Sequence, residues 1–459
     1  MKRRLDSFFH KHFTSEMFTY QEIFKMLIPL ILDMFFISAI AMITTSMISS
    51  SSQDSVAAVS LINPITTLLV CVINAVAAGG TVVVAQYKGR KDELKILQAS
   101  GHTLSITIVI AIVLNTIVIL CSPVIVNGFF GNAEAAVIDK AILYLVGVSI
   151  SSITLSIFTS IFSIFRGLGE TKVCLYLTVF INFAYLFLSV LFVNQLKWDI
   201  QGTVLALNIA RLIGTAVAIY YLFYKKNRLL ALKKEHVLQF NPSYVKSIFK
   251  ISIPFSAEQC FYYGGAIIGQ IMISDFDTKI IASYAIVTSL LGVITAAPMA
   301  VGTLATTIIG QSVGAENRNL ARWYGKKLVH LGTVLLIISI GIFLPVSQYL
   351  IQLYNPDPTS LSTIWGLLLI GMIPMPFVWA MSNIMPHVLR SAGDATYSSV
   401  VSLITMWSIR VGLGYLLAIV LGYGIHGIFF AASAEWVIRF FLFHFRYKGT
   451  RWLTKHTID

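Results

Sequence analysis

The sequence predicts an all-α polytopic membrane protein: twelve transmembrane helices in two six-helix lobes related by a parallel internal repeat. Three observations carry that prediction. Composition is the first: 57% of the 459 residues are hydrophobic and only 12% are charged, with a mean hydropathy of +0.81. A soluble domain carries about 25% charged residues, so lipid is the solvent for most of this chain. The second is a succession of apolar runs long enough to cross a bilayer. The third is a second half that repeats the first at an offset of 225 residues.

A spanning helix needs roughly 20 mostly apolar residues. Such runs cover 23–49, 56–87, 99–121, 141–165, 171–194, 200–223, 247–274, 280–311, 327–350, 361–389, 396–421 and 424–445. Several are longer than the hydrocarbon is thick, which predicts tilt or helix continuing beyond the lipid. Charge orients them. Of the 33 Lys and Arg residues, 28 fall in the two ends and the alternate loops on one side, the C-terminal group being counted from Arg439. The other side holds only Lys140, Lys197 and Lys279, and Arg211 and Arg410 lie inside spans. The positive-inside rule then places both termini in the cytoplasm, with the chain as a multi-pass protein of the cell membrane. The same distribution accounts for the net charge of +13 without nucleic acid, for which no motif is present. Residues 1–20 are expected to stay in the mature chain as an amphipathic lead-in along the cytoplasmic surface.

Several functions are disfavoured. The four cysteines stand singly in apolar segments, with no CxxC or Cys/His cluster, so neither a metal site nor a disulfide framework is expected. No GxxxxGK[ST] phosphate loop or TVGYG filter occurs, and nothing indicates a catalytic domain, so the chain is not expected to be an enzyme or to hold a cofactor.

The repeat is read from polar punctuation. "FKMLIPLILD" (24–33) lies over "FKISIPFSAE" (249–258), Thr81 over Thr306, Gln86 over Gln311 and Gly89 over Gly314. "RGLGE" (166–170) matches "RSAGD" (390–394) with a one-residue shift. Similar hydrophobicity alone would not align such positions. The hydrophilic segment from Lys225 to Lys246 divides six spans from six, giving an N-lobe of 1–235 and a C-lobe of 236–459. Even span numbers give both lobes one orientation, the arrangement of parallel-repeat transporters that work by alternating access. The glycines of "RGLGE" and "RSAGD" are expected to cap the fourth and tenth helices.

The repeat also pairs two costly residues. Asp33 and Glu258 each stand four residues after a proline, Pro29 or Pro254, and eight after a lysine, Lys25 or Lys250. Eight residues at ~1.5 Å are roughly 12 Å of helix, which puts both carboxylates inside the hydrocarbon boundary. An acidic side chain at a helix centre costs roughly 2.5–3.5 kcal/mol. Protonation, pairing or a watery cavity would lower that cost, and a carboxylate that loads H+ or Na+ on one side and releases it on the other couples transport. A capping or ion-pair role beside the lysines is the structural alternative. Arg211 and Glu435 nearly correspond in the last span of each lobe, suited to a salt bridge or a snorkelling head group. Arg410 is deep enough to orient a carboxylate or meet an anionic ligand, and equally to make a structural pair. Tyr262, Tyr263, Tyr284, Trp379 and Trp407 are candidates to line a cavity for organic cations.

"IPFSAEQC" followed by "ASYAIVTSLLGVITAAPMAVGTLATTIIGQSVGAENRNLAR", with "RGLGETKVCLYLTVFINFAY" and "LRSAGDATYSSVVSLITMWSIRV", resembles the multidrug and toxic compound extrusion (MATE) family of prokaryotic type. The resemblance covers essentially the whole chain. It implies a V-shaped, two-lobed secondary transporter exporting organic cations, drugs or toxic metabolites against a proton or sodium gradient. Such a protein needs no cofactor beyond that ion, and it would work as a monomer in contact with membrane lipid. Many members carry an aspartate late in the first helix, where this chain has Thr44 or Thr45, and another four residues after an asparagine of the fifth helix. Here Asn182, itself a cavity candidate, is followed at that distance by Leu186. Coupling is therefore expected at Glu258, with Asp33 contributing. A flippase for lipid-linked saccharides or phospholipids of the same superfamily is the alternative, and inward-facing arginines would favour it.

Overall fold

The computed structural model describes residues 10–11, 13–49, 53–130, 134–223, 232–238, 241–274, 276–354, 356–454 and 458. The long helices are α1 (Tyr20–Ser49), α2 (Gln53–Arg90), α3 (Glu93–Phe130), α4 (Ala135–Leu168), α5 (Thr171–Ser189), α6 (Asp199–Phe223), α7 (Pro242–Ser274), α8 (Thr278–Gly314), α9 (Arg318–Gln352), α10 (Leu361–Met372), α11 (Met375–Ser391), α12 (Ala395–Thr405) and α13 (Gly424–Lys448). Among the described residues nine helices are long and apolar enough to cross a membrane, and the bent pair α10–α11 makes a tenth. α7 has the length, at 33 residues, but Glu258, Gln259, Tyr262, Tyr263 and Gln270 dilute its hydropathy. With α7 and the 30-residue α1 the twelve expected spans are all helical.

Local chemistry explains where helices start and stop. At the head of α1 the Glu22 carboxylate accepts from the Thr19 amide at 2.8 Å, and the Thr19 hydroxyl accepts from the Glu22 amide at 3.3 Å. This reciprocal capping box satisfies two donors that the first turn leaves open. α4 ends as expected at Gly169 (φ 86°), whose amide donates to Arg166, while Glu170 donates to Phe165. α11 ends the same way, Gly393 (φ 94°) donating to Arg390 and Asp394 to Leu389. The repeat thus extends to backbone hydrogen bonds.

Three spans depart from a plain helix. The tenth, expected as one piece over 361–389, bends by 63° between α10 and α11. Pro374 and Pro376 sit at the break, where proline offers no amide to the preceding turn and its ring crowds that turn. The fifth and eleventh spans widen into π-helical turns, Val190–Gln195 after α5, and Met406–Leu413 and Leu416–Val420 after α12. Val190–Gln195 and Leu416–Val420 match through the repeat, whereas Met406–Leu413 has no N-lobe counterpart.

By contact the chain forms two compact units. One gathers Phe36–Gln259 with Ile458–Asp459, the other Met1–Phe35 with Cys260–Thr457. These limits differ from the repeat boundary at 235/236 because each lobe's first helix is shared. In the first unit α2 packs chiefly on α4, and α4 on α3 and α6. The described part of the central hydrophilic segment docks there too: Asn241 donates its amide to His102 Nε2 at 2.8 Å, and the Tyr244 hydroxyl bonds Gln98 at 2.7 Å. The opening half of α7 follows, with Ser252 donating to the Val76 carbonyl at 3.2 Å. A Cβ at Gly79 would lie 2.1 Å from Ser252 Oγ, so only glycine admits this approach.

In the second unit α8 packs on α9 and α11, and α13 on α10 and α11. Ile23, Leu27 and Leu30 of α1 are buried in the same core as Ala300, Val301 and Leu304 of α8. The expected surface lead-in is corrected for residues 13–18. Phe13 and Phe18 belong to that core, and Ser15 shares a 2.6 Å hydrogen bond with Tyr324. Two of the three cations on the lysine-poor side are held by carboxylates. Lys140 lies 3.0 Å from Asp199, and Lys279 lies 2.7 Å from Asp357. Lys279, with the Thr359 hydroxyl and amide, holds the Asp357 carboxyl well below the usual carboxylate range.

Candidate functional site

The limits of the two units fall within α1 and α7, shortly after the carboxylate that each helix carries. Asp33 is two residues before the boundary at Phe35, on the part of α1 that packs with the C-terminal helices, and is 1% exposed. Glu258 is one residue before the boundary at Gln259, on the part of α7 that packs with the N-terminal helices, and is half-buried. Both candidate coupling residues thus stand with the lobe that the repeat would not assign to them. Thr44 and Thr45 lie outside the described side chains.

In the second unit a charged cluster forms around Glu435, which is fully buried. One carboxylate oxygen meets Arg410 Nε at 2.5 Å, and the other lies 3.1 Å from Arg439 Nε. Arg439 also donates to the Thr405 hydroxyl at 2.9 Å and the Ser402 carbonyl at 3.0 Å. Arg439, counted with the cytoplasmic tail in the sequence, is therefore a buried member of the last helix. The Arg410 guanidinium stands 5.9 Å from the Tyr262 ring, and Tyr262 packs edge-on against Tyr263. The Trp407 ring meets Phe261 at 6.4 Å, and Tyr284 meets Phe429 at 5.8 Å. Arg410 sits in the π turns, and π geometry of this sort recurs at functional sites.

The remaining candidates lie elsewhere. Trp379 is 4% exposed, in the hydrophobic core of the second unit. Asn182 belongs to the first unit and spends its amide on the Thr178 carbonyl of its own helix.

The first unit holds a polar cluster that sequence reasoning saw only in part. Arg211 on α6 donates to the Ser151 hydroxyl of α4 at 2.8 Å, and the Tyr144 and Tyr185 phenols lie within electrostatic range. Nearby, Asn208 donates to the Gly147 carbonyl at 3.0 Å. No carboxylate is within ion-pair distance of Arg211 among the described residues. Of the two roles expected for this arginine, a salt bridge or a snorkelling head group, the salt bridge is not formed among the described residues; its anchor is a neutral hydroxyl. The signal lay in the repeat, since the residue 225 positions before Arg410 is Tyr185. Where the C-lobe sets Arg410 against Glu435, the N-lobe sets Tyr185 near Arg211.

Comparison with known proteins agrees with this architecture. The MatE family pattern matches twice, over residues 29–191 and 254–416, at the 225-residue offset of the repeat. The chain is 24% identical over 416 residues to the uncharacterized transporter YisQ of Bacillus subtilis, with 90% of each chain covered. It is 19% identical to the probable multidrug resistance protein NorM of Thermotoga maritima, over 91% of this chain and 90% of that one. Among solved structures it matches a MOP-superfamily transporter from Pyrococcus furiosus, described as having a binding pocket of reverse polarity that suggests a different function. That match has a TM-score of 0.82 at 14% identity and covers 94% of this chain and 96% of that one. With both halves matched and the twelve-helix, two-lobed architecture in place, this chain belongs to the MatE family.

Proposed function

We propose that this protein is a secondary active transporter that exports organic cations, drugs or toxic metabolites from the cytoplasm in exchange for H+ or Na+. The observation that supports it best is the placement of Asp33 and Glu258 beside the points where α1 and α7 pass between the compact units. A carboxylate there has two states of very different cost in lipid. Charged, it needs a cation or water; protonated or sodium-bound, it tolerates a dry surrounding. Loading the ion therefore biases the two helices that the lobes share, and alternating access follows if the lobes move against each other. In this reading the repeat units 1–235 and 236–459 are the lobes, both termini are cytoplasmic as the positive-inside rule requires, the monomer suffices, and no further cofactor takes part. Tyr262, Tyr263, Tyr284, Trp407 and Arg410 contribute to substrate binding, with Trp379 and Asn182 supporting from their own helices.

A second reading has its own observation. Arg211, anchored by Ser151 with no carboxylate partner among the described residues, suits an acidic or phosphate-bearing substrate, as a lipid-linked saccharide flippase would need.

One assay separates them. In proteoliposomes with independently set pH and sodium gradients, a cationic dye should move with one gradient, and Glu258→Gln should abolish that dependence. Dye transport that ignores both gradients, or that keeps full coupling in Glu258→Gln and Asp33→Asn, refutes the proposal. Movement of anionic amphiphiles alone, lost in Arg211→Gln, establishes the second reading.

A further inference from the structure

The second unit carries a groove apart from the candidate coupling residues. It encloses about 490 Å³ between α9, α11 and the end of α13. Met381, Met385, Val329 and Trp323 give it an apolar floor, and Arg322, Lys326 and Lys448 bring three cations to it. Among the described residues no carboxylate lines it. The nearby Asp394 is engaged by Arg446 at 2.7 Å. Arg322 is fixed before any ligand arrives. Its guanidinium donates to the Lys448 carbonyl at 2.7 Å, the Tyr447 hydroxyl donates back to the Arg322 carbonyl, and the Tyr447 ring lies 5.9 Å from the guanidinium. A guanidinium has five N–H donors, and most of those on Arg322 remain available.

The groove also continues along α9 into a row of exposed apolar side chains. Lys326, His330, Val334, Ile338 and Ile342 recur every four residues on α9, and all five are exposed. Residues four apart are neighbours on a helix, each step turning about 40° round it, so the row winds gradually round α9. From His330 to Ile342 the stripe runs roughly 18 Å, about the depth of one leaflet of a ~30 Å hydrocarbon core. Basic residues therefore give way to exposed apolar side chains along a row that winds round the helix.

We propose that this groove binds an anionic phospholipid of the cytoplasmic leaflet. Arg322, Lys326 and Lys448 hold the headgroup phosphate, while an acyl chain runs down the Val334–Ile338–Ile342 stripe. Charge complementarity selects an anion, and the stripe selects a lipid over a soluble phosphate.

Native mass spectrometry of the purified full-length protein tests this. Phosphatidylglycerol should be retained over phosphatidylcholine. A basic residue at an anionic headgroup contributes about fivefold in affinity. Lys326→Gln should thus weaken retention about fivefold, and Arg322→Gln with Lys326→Gln about 25-fold. Lys172→Gln, on the other lobe, should change nothing. Lys326 is exposed with a free head group, so its single variant guards against misfolding of the double one. Equal retention of phosphatidylglycerol by wild type and Lys326→Gln would overturn the proposal. So would equal retention of phosphatidylcholine, or displacement by glycerol phosphate at matched concentration, which would mark a soluble-anion site.

Discussion

Replacing Glu435 with glutamine isolates the buried charge cluster of the C-lobe, because the side chain keeps its shape and loses its charge. In the wild type one carboxylate is shared by two guanidinium groups, at 2.5 Å to Arg410 and 3.1 Å to Arg439. Breaking a buried ion pair by removing one partner costs about 3–5 kcal/mol. Two features put this case near the lower end. Arg439 keeps Thr405 and Ser402 as acceptors, and the Arg410 side chain is 26% exposed, so solvent takes up part of its charge. A loss of about 3 kcal/mol is therefore expected for Glu435→Gln. Arg410→Gln alone leaves Glu435 paired with Arg439 and should cost less. Once Arg410 is gone, the further change of Glu435 should cost less than it does in the wild type, so the double variant falls short of the summed single losses. Unfolding of the purified protein, followed by helical circular dichroism in graded denaturing detergent, supplies the four stabilities of the cycle. Strict additivity would show that Arg410 and Glu435 do not interact, and wild-type stability in Glu435→Gln would refute the buried-charge argument.

Other consequences are open to the same measurement. Gly79→Ala places a methyl 2.1 Å from Ser252 Oγ and 2.9 Å from the Ile248 carbonyl. It should destabilise the protein by about 1–3 kcal/mol, and Ser252→Ala should restore only part, since the backbone carbonyl stays. Gly169→Ala and Gly393→Ala each force a side chain into left-handed backbone, at about 1–2 kcal/mol apiece, and their effects should add because the two caps lie in different units. For Asp357, whose folded value is depressed by Lys279 and Thr359, the sign follows from linkage. The stabilisation is fully present above the unfolded carboxyl value of ~3.9 and fades as pH falls toward the folded one. The melting difference between wild type and Asp357→Asn should accordingly stay constant from neutral pH down to about 4, then shrink. A difference that already collapses near pH 6 would contradict it.

Much of the scaffold was legible in the sequence because the bilayer imposes a coarse rule. Backbone groups in lipid must bond internally, so each long apolar run has to be a helix. The helix-ending glycines of "RGLGE" and "RSAGD" were readable because a left-handed residue nearly dictates its own side chain. The 63° break was less so, since prolines occur inside several helices and only the packing shows which of them interrupts one. Within the candidate site, the pairing of Asp33 with Glu258 came from the repeat. The partner of Arg410 did not, because Glu435 is 25 residues away on another helix. The neighbours of Arg211 were hidden because serine and tyrosine are unremarked in a membrane helix until a charge is found beside them.

The twelve spans, the duplication and most of the residues costly to keep in lipid were readable from the amino-acid order alone. Each depends on local composition or on comparing the chain with itself. Tertiary structure decided which helices share a packing unit. It put Asp33 with the C-terminal helices and Glu258 with the N-terminal ones, and made Glu435 the common ion-pair partner of two arginines. Close approaches such as Gly79 against Ser252 fix those arrangements, and surface complementarity between distant segments leaves no trace in the pattern of either segment alone.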